Sequence, residues 1–125
     1  MMIDFARNSV FKLTPIDSKE GHNEVSMMLT NNEQVLYAFK TIRDKVVITN
    51  KRLITINVQG ITGKKVDYTS LPFSRVQAFS VETSGTLDLD CELDLWFSEV
   101  GKVRLEIVGN FDIQLLNKTL SHYIL

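Results

Sequence analysis

The chain has one cysteine, Cys91, and no apolar run near the ~20 residues that a bilayer-spanning helix needs. The lone thiol excludes a disulfide framework and a thiolate metal cluster. The short apolar runs exclude a transmembrane helix. Net charge is also nearly absent: 14 basic residues stand against 15 acidic ones, leaving −1. Nothing in that balance attracts nucleic acid or an anionic membrane, so either partner would need a local patch. Low-complexity tracts, internal repeats and linker-like composition shifts are missing too. The segment MMIDFARNSVFKL carries charges inside its apolar run and no small-residue cleavage site, so no signal peptide is expected and the cytoplasm is the default location. His22 and His122 lie far apart, and neither sits near a serine or Cys91 in a nucleophile pattern. No catalytic set, metal or cofactor is therefore expected. Ordinary composition, 44% hydrophobic and 23% charged over 125 residues, suits one domain with a core of its own.

Residues 1–19 are mixed and read as a partly irregular N-terminal extension, leaving 20–125 as the domain. Asp17 or Ser18 can cap a short helix over Glu20–Asn32, with Val25, Met28 and Leu29 at helical spacing. A run of strands follows: Val35–Ile42, Val46–Thr49, Leu53–Val58 and Lys64–Thr69, all rich in β-branched and aromatic residues. Arg43-Asp44 and Asn50-Lys51 separate the first three as tight turns. Asn50 suits such a turn because asparagine tolerates positive φ. Gly60 and Gly63 bracket the next loop, and Pro72 marks a strand boundary.

Arg75–Glu82 and Thr86–Ser98 flank Thr83-Ser84-Gly85, which reads as a three-residue hairpin loop. That register sets Phe79 opposite Leu89 and Val81 opposite Leu87. Along the second strand Leu87, Leu89, Cys91, Leu93, Leu95 and Phe97 point one way. Asp88, Asp90, Glu92, Asp94 and Trp96 point the other. Glu99-Val100-Gly101 turns into Lys102–Val108, with Val103, Leu105 and Ile107 inward. Gly109-Asn110 ends the strand, and Asn110 can cap a last helix whose stripe is Ile113, Leu116, Leu120, Tyr123 and Ile124. The order is a short helix, about seven antiparallel strands and a C-terminal helix: a mainly β fold.

Several motifs sharpen this layout. Ile42-Arg43-Asp44, Thr49-Asn50-Lys51-Arg52-Leu53-Ile54, Gln59-Gly60-Ile61-Thr62-Gly63-Lys64-Lys65 and Phe79-Ser80-Val81-Glu82-Thr83-Ser84-Gly85-Thr86 resemble the bacterial pleckstrin-homology-like family of small single-domain proteins. The resemblance covers roughly residues 20–125, and 49–65 is its most specific block. It implies a PH-like bent antiparallel barrel capped by the C-terminal helix, without known catalysis. It further implies assembly into a cyclic homo-oligomer, a five-fold ring for single-domain members, with a hydrophilic surface between subunits suited to binding another protein.

Two sets of side chains are candidates for contact. Lys40, Arg43, Lys45, Lys64 and Lys65 form a basic group suited to an anionic headgroup. In Lys-x-x-Arg-x-Lys, however, lysine gives up the bidentate grip of arginine, and Asp44 sits among the cations. The acidic row Asp88, Asp90, Glu92 and Asp94 spaces its same-face carboxylates ~6.6–6.8 Å apart along a strand, too far to converge on a hard cation. It reads instead as an interface for a subunit or protein partner, since like charges in line need opposition. Trp96, expected opposite Arg104, is the matching interface anchor. Cys91 reads as a small core residue, and Gly60-x-x-Gly63 lacks the spacing and following helix of a phosphate loop. The expected function is a non-enzymatic scaffold or adaptor binding itself and an unknown protein. A membrane or headgroup module is the alternative; nucleic acid is not expected.

Overall fold

In the computed structural model, which describes residues 10–83, 90–109 and 111–125, the first element is a strand where irregular chain was expected. β1 (Val10–Ile16) alternates Lys12 and Thr14 outward with a fully buried Leu13. It pairs antiparallel with β2 (Val35–Lys40) through Thr14–Lys40, and parallel with β8 (Gly101–Ile107) through Leu13–Ile107. The boundary placed at residue 20 therefore cuts through the sheet. Between β2 and β8 run β3 (Lys45–Thr49), β4 (Arg52–Gln59), β5 (Lys65–Pro72), β6 (Val76–Thr83) and β7 (Cys91–Phe97). The order across the sheet is β5-β4-β3-β2-β1-β8-β7-β6, so β1 is the seam between two antiparallel halves.

The helix near the N-terminus, α1 (Ser18–Val25), starts earlier and ends earlier than its apolar spacing suggested. Asp17 is its N-cap, accepting from the Lys19 N–H at 2.9 Å, and a 3-10 turn over Ser26–Met28 follows. α1 lies on the outer face of β2–β4 and buries Val25 with Ala38, Val47, Ile54 and Ile56. With both faces covered, β3 reads as an unbroken apolar run instead of alternating. The inner face holds the main core, which includes Phe39, Ile48, Leu53, Leu93, Leu95, Val103 and Leu105. α2 (Ile113–Ile124) closes it with Leu116 and Leu120, while Tyr123 of the expected stripe is exposed. Its N-cap is Asp112, accepting from the Leu115 N–H at 3.0 Å, whereas Asn110 lies outside the described residues.

Two turn assignments differ from expectation. Asn50 does not take positive φ; among described non-glycine residues only Asn32 does, at 63°. Asn50 instead ties two segments together, accepting from the Gln34 N–H at 2.8 Å and donating to the Asn32 carbonyl at 2.9 Å. Its hairpin is held by the Thr49 hydroxyl, which accepts from the N–H groups of Lys51 and Arg52. The β6–β7 connection is also longer than a three-residue loop. Phe79 faces Leu95, Val81 faces Leu93 and Thr83 faces Cys91, so Phe79–Leu89 and Val81–Leu87 are not the pairs. The pairing shifts along β7 by an even number of positions, so the inward face survives the error. Leu93, Leu95 and Phe97 are buried as expected; Leu87 and Leu89 lie outside the described residues.

One core atom is unpaired. The Thr55 hydroxyl is fully buried and has no hydrogen-bond partner among the described residues. A buried donor without a partner costs about 1–3 kcal/mol. Thr55→Val keeps the shape and removes the polar atom, so it should raise unfolding stability by about 1 kcal/mol. Equal or lower stability in denaturant titration would contradict that.

Candidate functional site

The basic group divides between two neighbouring loop tips. Lys40 ends β2 and Lys45 starts β3, with Arg43 in the turn between them. This turn closes through Thr41 N–H to Asp44 carbonyl at 2.8 Å. Its side chains line an open depression of about 1110 Å³, whose other walls are Lys12 and Thr14 of β1 and Glu20 and Glu24 of α1. Lys64 and Lys65 do not line it. They follow the β4–β5 loop, whose Gly60 (φ 77°) and Gly63 (φ 68°) adopt the left-handed conformation glycine allows. The tips touch where Arg43 Nη2 donates to the Gly60 carbonyl.

The carboxylates in this region are largely committed. Glu24 pairs with Lys45 at 2.7 Å. Asp44 Oδ1 accepts from the Val58 N–H at 3.0 Å and from Asn57 Nδ2 at 3.1 Å, which ties the hairpin to β4. Lys12 was missed because residues 1–19 were read as irregular. The alternation through Lys12, Leu13 and Thr14 was the available signal.

Two other cations of the segment are structural. Lys51 donates to the Asn31 carbonyl at 2.8 Å and the Thr30 hydroxyl at 3.1 Å. Arg52 grips Glu33 with two hydrogen bonds, 2.8 and 2.9 Å, and also donates to Ser70 Oγ and the Met28 carbonyl. The Glu33 side chain is only 1% exposed. Burial alone would raise its pKa, but hydrogen bonds from Arg52, the Thr30 N–H and the Thr49 hydroxyl hold it down to about 2. Sequence reasoning gave Glu33 no role.

On the opposite half, the acidic row is not a uniformly solvated face. Asp94 is buried beneath Arg104, its cross-strand partner, with bonds of 2.8 and 3.0 Å. Arg104 also approaches Glu92 at 3.6 Å. The Asp94 hydrogen bond and charge push the guanidinium pKa further up. Trp96 therefore does not face Arg104: it lies opposite Lys102 on β8 and Ala78 on β6, at 36% exposure. Asp90 accepts from the Gly109 N–H at 3.0 Å, and Asp88 lies outside the described residues. The cross-strand pairs Glu82–Glu92 and Glu92–Glu106 put three carboxylates in one row across β6, β7 and β8. That row was not legible, because it depends on the corrected register. Cys91 is buried, and burial with nearby Asp90 pushes its thiol up to about 11.

A bent sheet of eight strands closed by a C-terminal helix is a pleckstrin-homology fold. The chain belongs to the bacterial PH domain family, which matches residues 4–124. It is 39% identical to a DUF1696 family protein with a pleckstrin-homology domain from Shewanella loihica PV-4, with TM-score 0.77 over 91% of this chain and 98% of that one. A pleckstrin homology domain from Shewanella amazonensis SB2B is 41% identical, with TM-score 0.63 over 88% and 90% of the two chains. Among curated proteins, the uncharacterized protein YjqA of Bacillus subtilis (strain 168) is 49% identical over 75 residues, 60% of this chain and 60% of that protein. The PH-domain family is generally non-enzymatic. No helix among the described residues is long and apolar enough to cross a membrane.

Proposed function

We propose that the protein is a cytoplasmic, non-enzymatic scaffold that assembles into a cyclic homo-oligomer and recruits a protein partner through surfaces formed between subunits. The observation that supports this most is the pair of sheet edges. β5 and β6 end the strand order, so among the described residues each has a neighbouring strand on one side only. Both are eight residues long, and the single proline in them, Pro72, stands at the last position of β5. Long edges without interior proline are templates for strand addition. Because the two edges differ, β5 of one copy against β6 of the next makes a head-to-tail contact, which closes into a ring when the rotation allows. Five copies is the closure that resemblance to the family suggests.

The outer face of β6–β8 beside that edge carries Trp96 and the acidic row. It is our candidate for the partner or subunit contact, with Asp90, Glu92, Asp94 and Arg104 around it. Tyr68 on β5, 39% exposed, offers a test. Lysine on an edge strand opposes pairing, so Tyr68→Lys should give a smaller particle by light scattering while thermal unfolding stays near that of the parent. A particle of unchanged mass would remove β5 from the interface.

A further inference from the structure

A cavity of about 320 Å³ opens where the two halves of the sheet meet without pairing. Its first wall is the end of β5 with the 3-10 turn Phe73–Arg75, and its second is the turn between β7 and β8. Pro72, the last residue of β5, has no N–H to donate to a further strand, so the ladder stops here. The size falls at the lower end of the range for small-molecule pockets, roughly 300–1,000 Å³.

The lining divides into three kinds of surface. The floor is apolar: Leu71 and Phe97 are core side chains, and half-buried Val100 packs beside them. The first wall presents the guanidinium of Arg75, and the second the carboxylate of Glu99. Both side chains are exposed, and among the described residues neither has a hydrogen-bond or ion-pair partner. Every other described arginine is engaged: Arg43 by the Gly60 carbonyl, Arg52 by Glu33 and Arg104 by Asp94. A cation and an anion that line one cavity without closing on each other leave both heads available to a guest.

We infer that this cavity binds a free α-amino acid with an apolar side chain. The carboxylate meets Arg75, the ammonium meets Glu99, and the side chain rests on the floor of Leu71, Phe97 and Val100. An α-amino acid carries those three groups on one carbon, which is the set of surfaces the cavity presents. The guanidinium fork fits a carboxylate through two parallel hydrogen bonds. An inorganic anion would use Arg75 alone, and a metal ion would find a single carboxylate. Either would leave the opposite wall and the floor unused. All of the lining belongs to one subunit, so this binding is independent of ring formation and would stand beside a monomeric mass.

The test is saturation-transfer NMR of L-leucine with the full chain, beside 4-methylpentanoate, which lacks the ammonium, and 3-methylbutylamine, which lacks the carboxylate. L-Leucine should bind, and its methyl groups should receive the most saturation because they rest on the floor. Each analogue should bind about fivefold more weakly, since it leaves one wall charge unmatched. Arg75→Gln should weaken leucine about fivefold and leave 3-methylbutylamine unchanged. Glu99→Gln should weaken leucine to the same extent and leave 4-methylpentanoate unchanged. That crossed pattern is what one charge on each wall demands. Neither side chain has a partner to lose, so both variants should melt as the parent does. Three outcomes would overturn the inference: no transfer to leucine at about 10 mM, leucine bound no better than either analogue, or leucine binding unchanged in both variants.

Discussion

Arg52→Met is expected to destabilise the protein by about 3–5 kcal/mol at neutral pH, the cost of leaving a buried charge without its partner. The charge is Glu33, nearly inaccessible to water and held by Arg52, Thr30 and Thr49. Domains of this kind have roughly 5–15 kcal/mol in all, so the variant sits near the threshold of folding. The sign with pH follows from the depressed pKa. In the parent, the Glu33 contribution is fully present above its ordinary value of 4.5 and fades as pH falls toward about 2. In Arg52→Met the burial remains while the main opposing partner is gone, so the penalty should shrink in acid as Glu33 takes up a proton. Adding Glu33→Gln should restore much of the loss at pH 7. Denaturant midpoints for the parent, the single variants and the double variant form the cycle that checks this. A loss under 1 kcal/mol would mean the pair contributes little.

Gly21→Ala should also destabilise, although alanine is the better helix former by about 1 kcal/mol. α1 lies so close to β2 that a Cβ on residue 21 would stand 2.5 Å from the Ala38 Cβ. Neither atom can turn aside, so the helix must lift from the layer that buries Val25 and Val47. Overpacking of this sort costs about 1–3 kcal/mol. Asn23→Ala, on the exposed side of the same helix, should be neutral or slightly stabilising. Ala38→Gly in the Gly21→Ala background should recover part of the loss. If Gly21→Ala unfolds at the same temperature as the parent or above it, the close approach of α1 is wrong.

The legible parts of the fold were those governed by local periodicity. Alternation in β7 and β8 named Leu93, Leu95, Val103, Leu105 and Ile107 as inward, and all are fully buried. The glycine-bracketed loop and the α2 stripe through Leu116 and Leu120 were equally readable. Pairing across strands was not. Thr83-Ser84-Gly85 looks like a tight turn, and sliding the pairing by an even number of positions changes every partner without changing any face. A separate two-residue slip at the turn between β7 and β8 sets Trp96 against Lys102 and Arg104 against Asp94. Glu33–Arg52 was hidden for a related reason. Glu33 stands in the polar stretch Asn31-Asn32-Glu33-Gln34, which reads as solvated turn, and only the fold brings Arg52 over it. Lys12 escaped because β1 follows a mixed segment. Of the basic group, its clustering was legible, but its division between a depression and a separate tip needed coordinates.

The central claim, that this domain acts as a self-assembled scaffold, is tested most directly by the native mass of the unmodified chain. Light scattering coupled to size exclusion, repeated across the micromolar range, should give one species several times the 14.3 kDa of a single chain, with a mass that does not fall on dilution. A monomer throughout that range would contradict it.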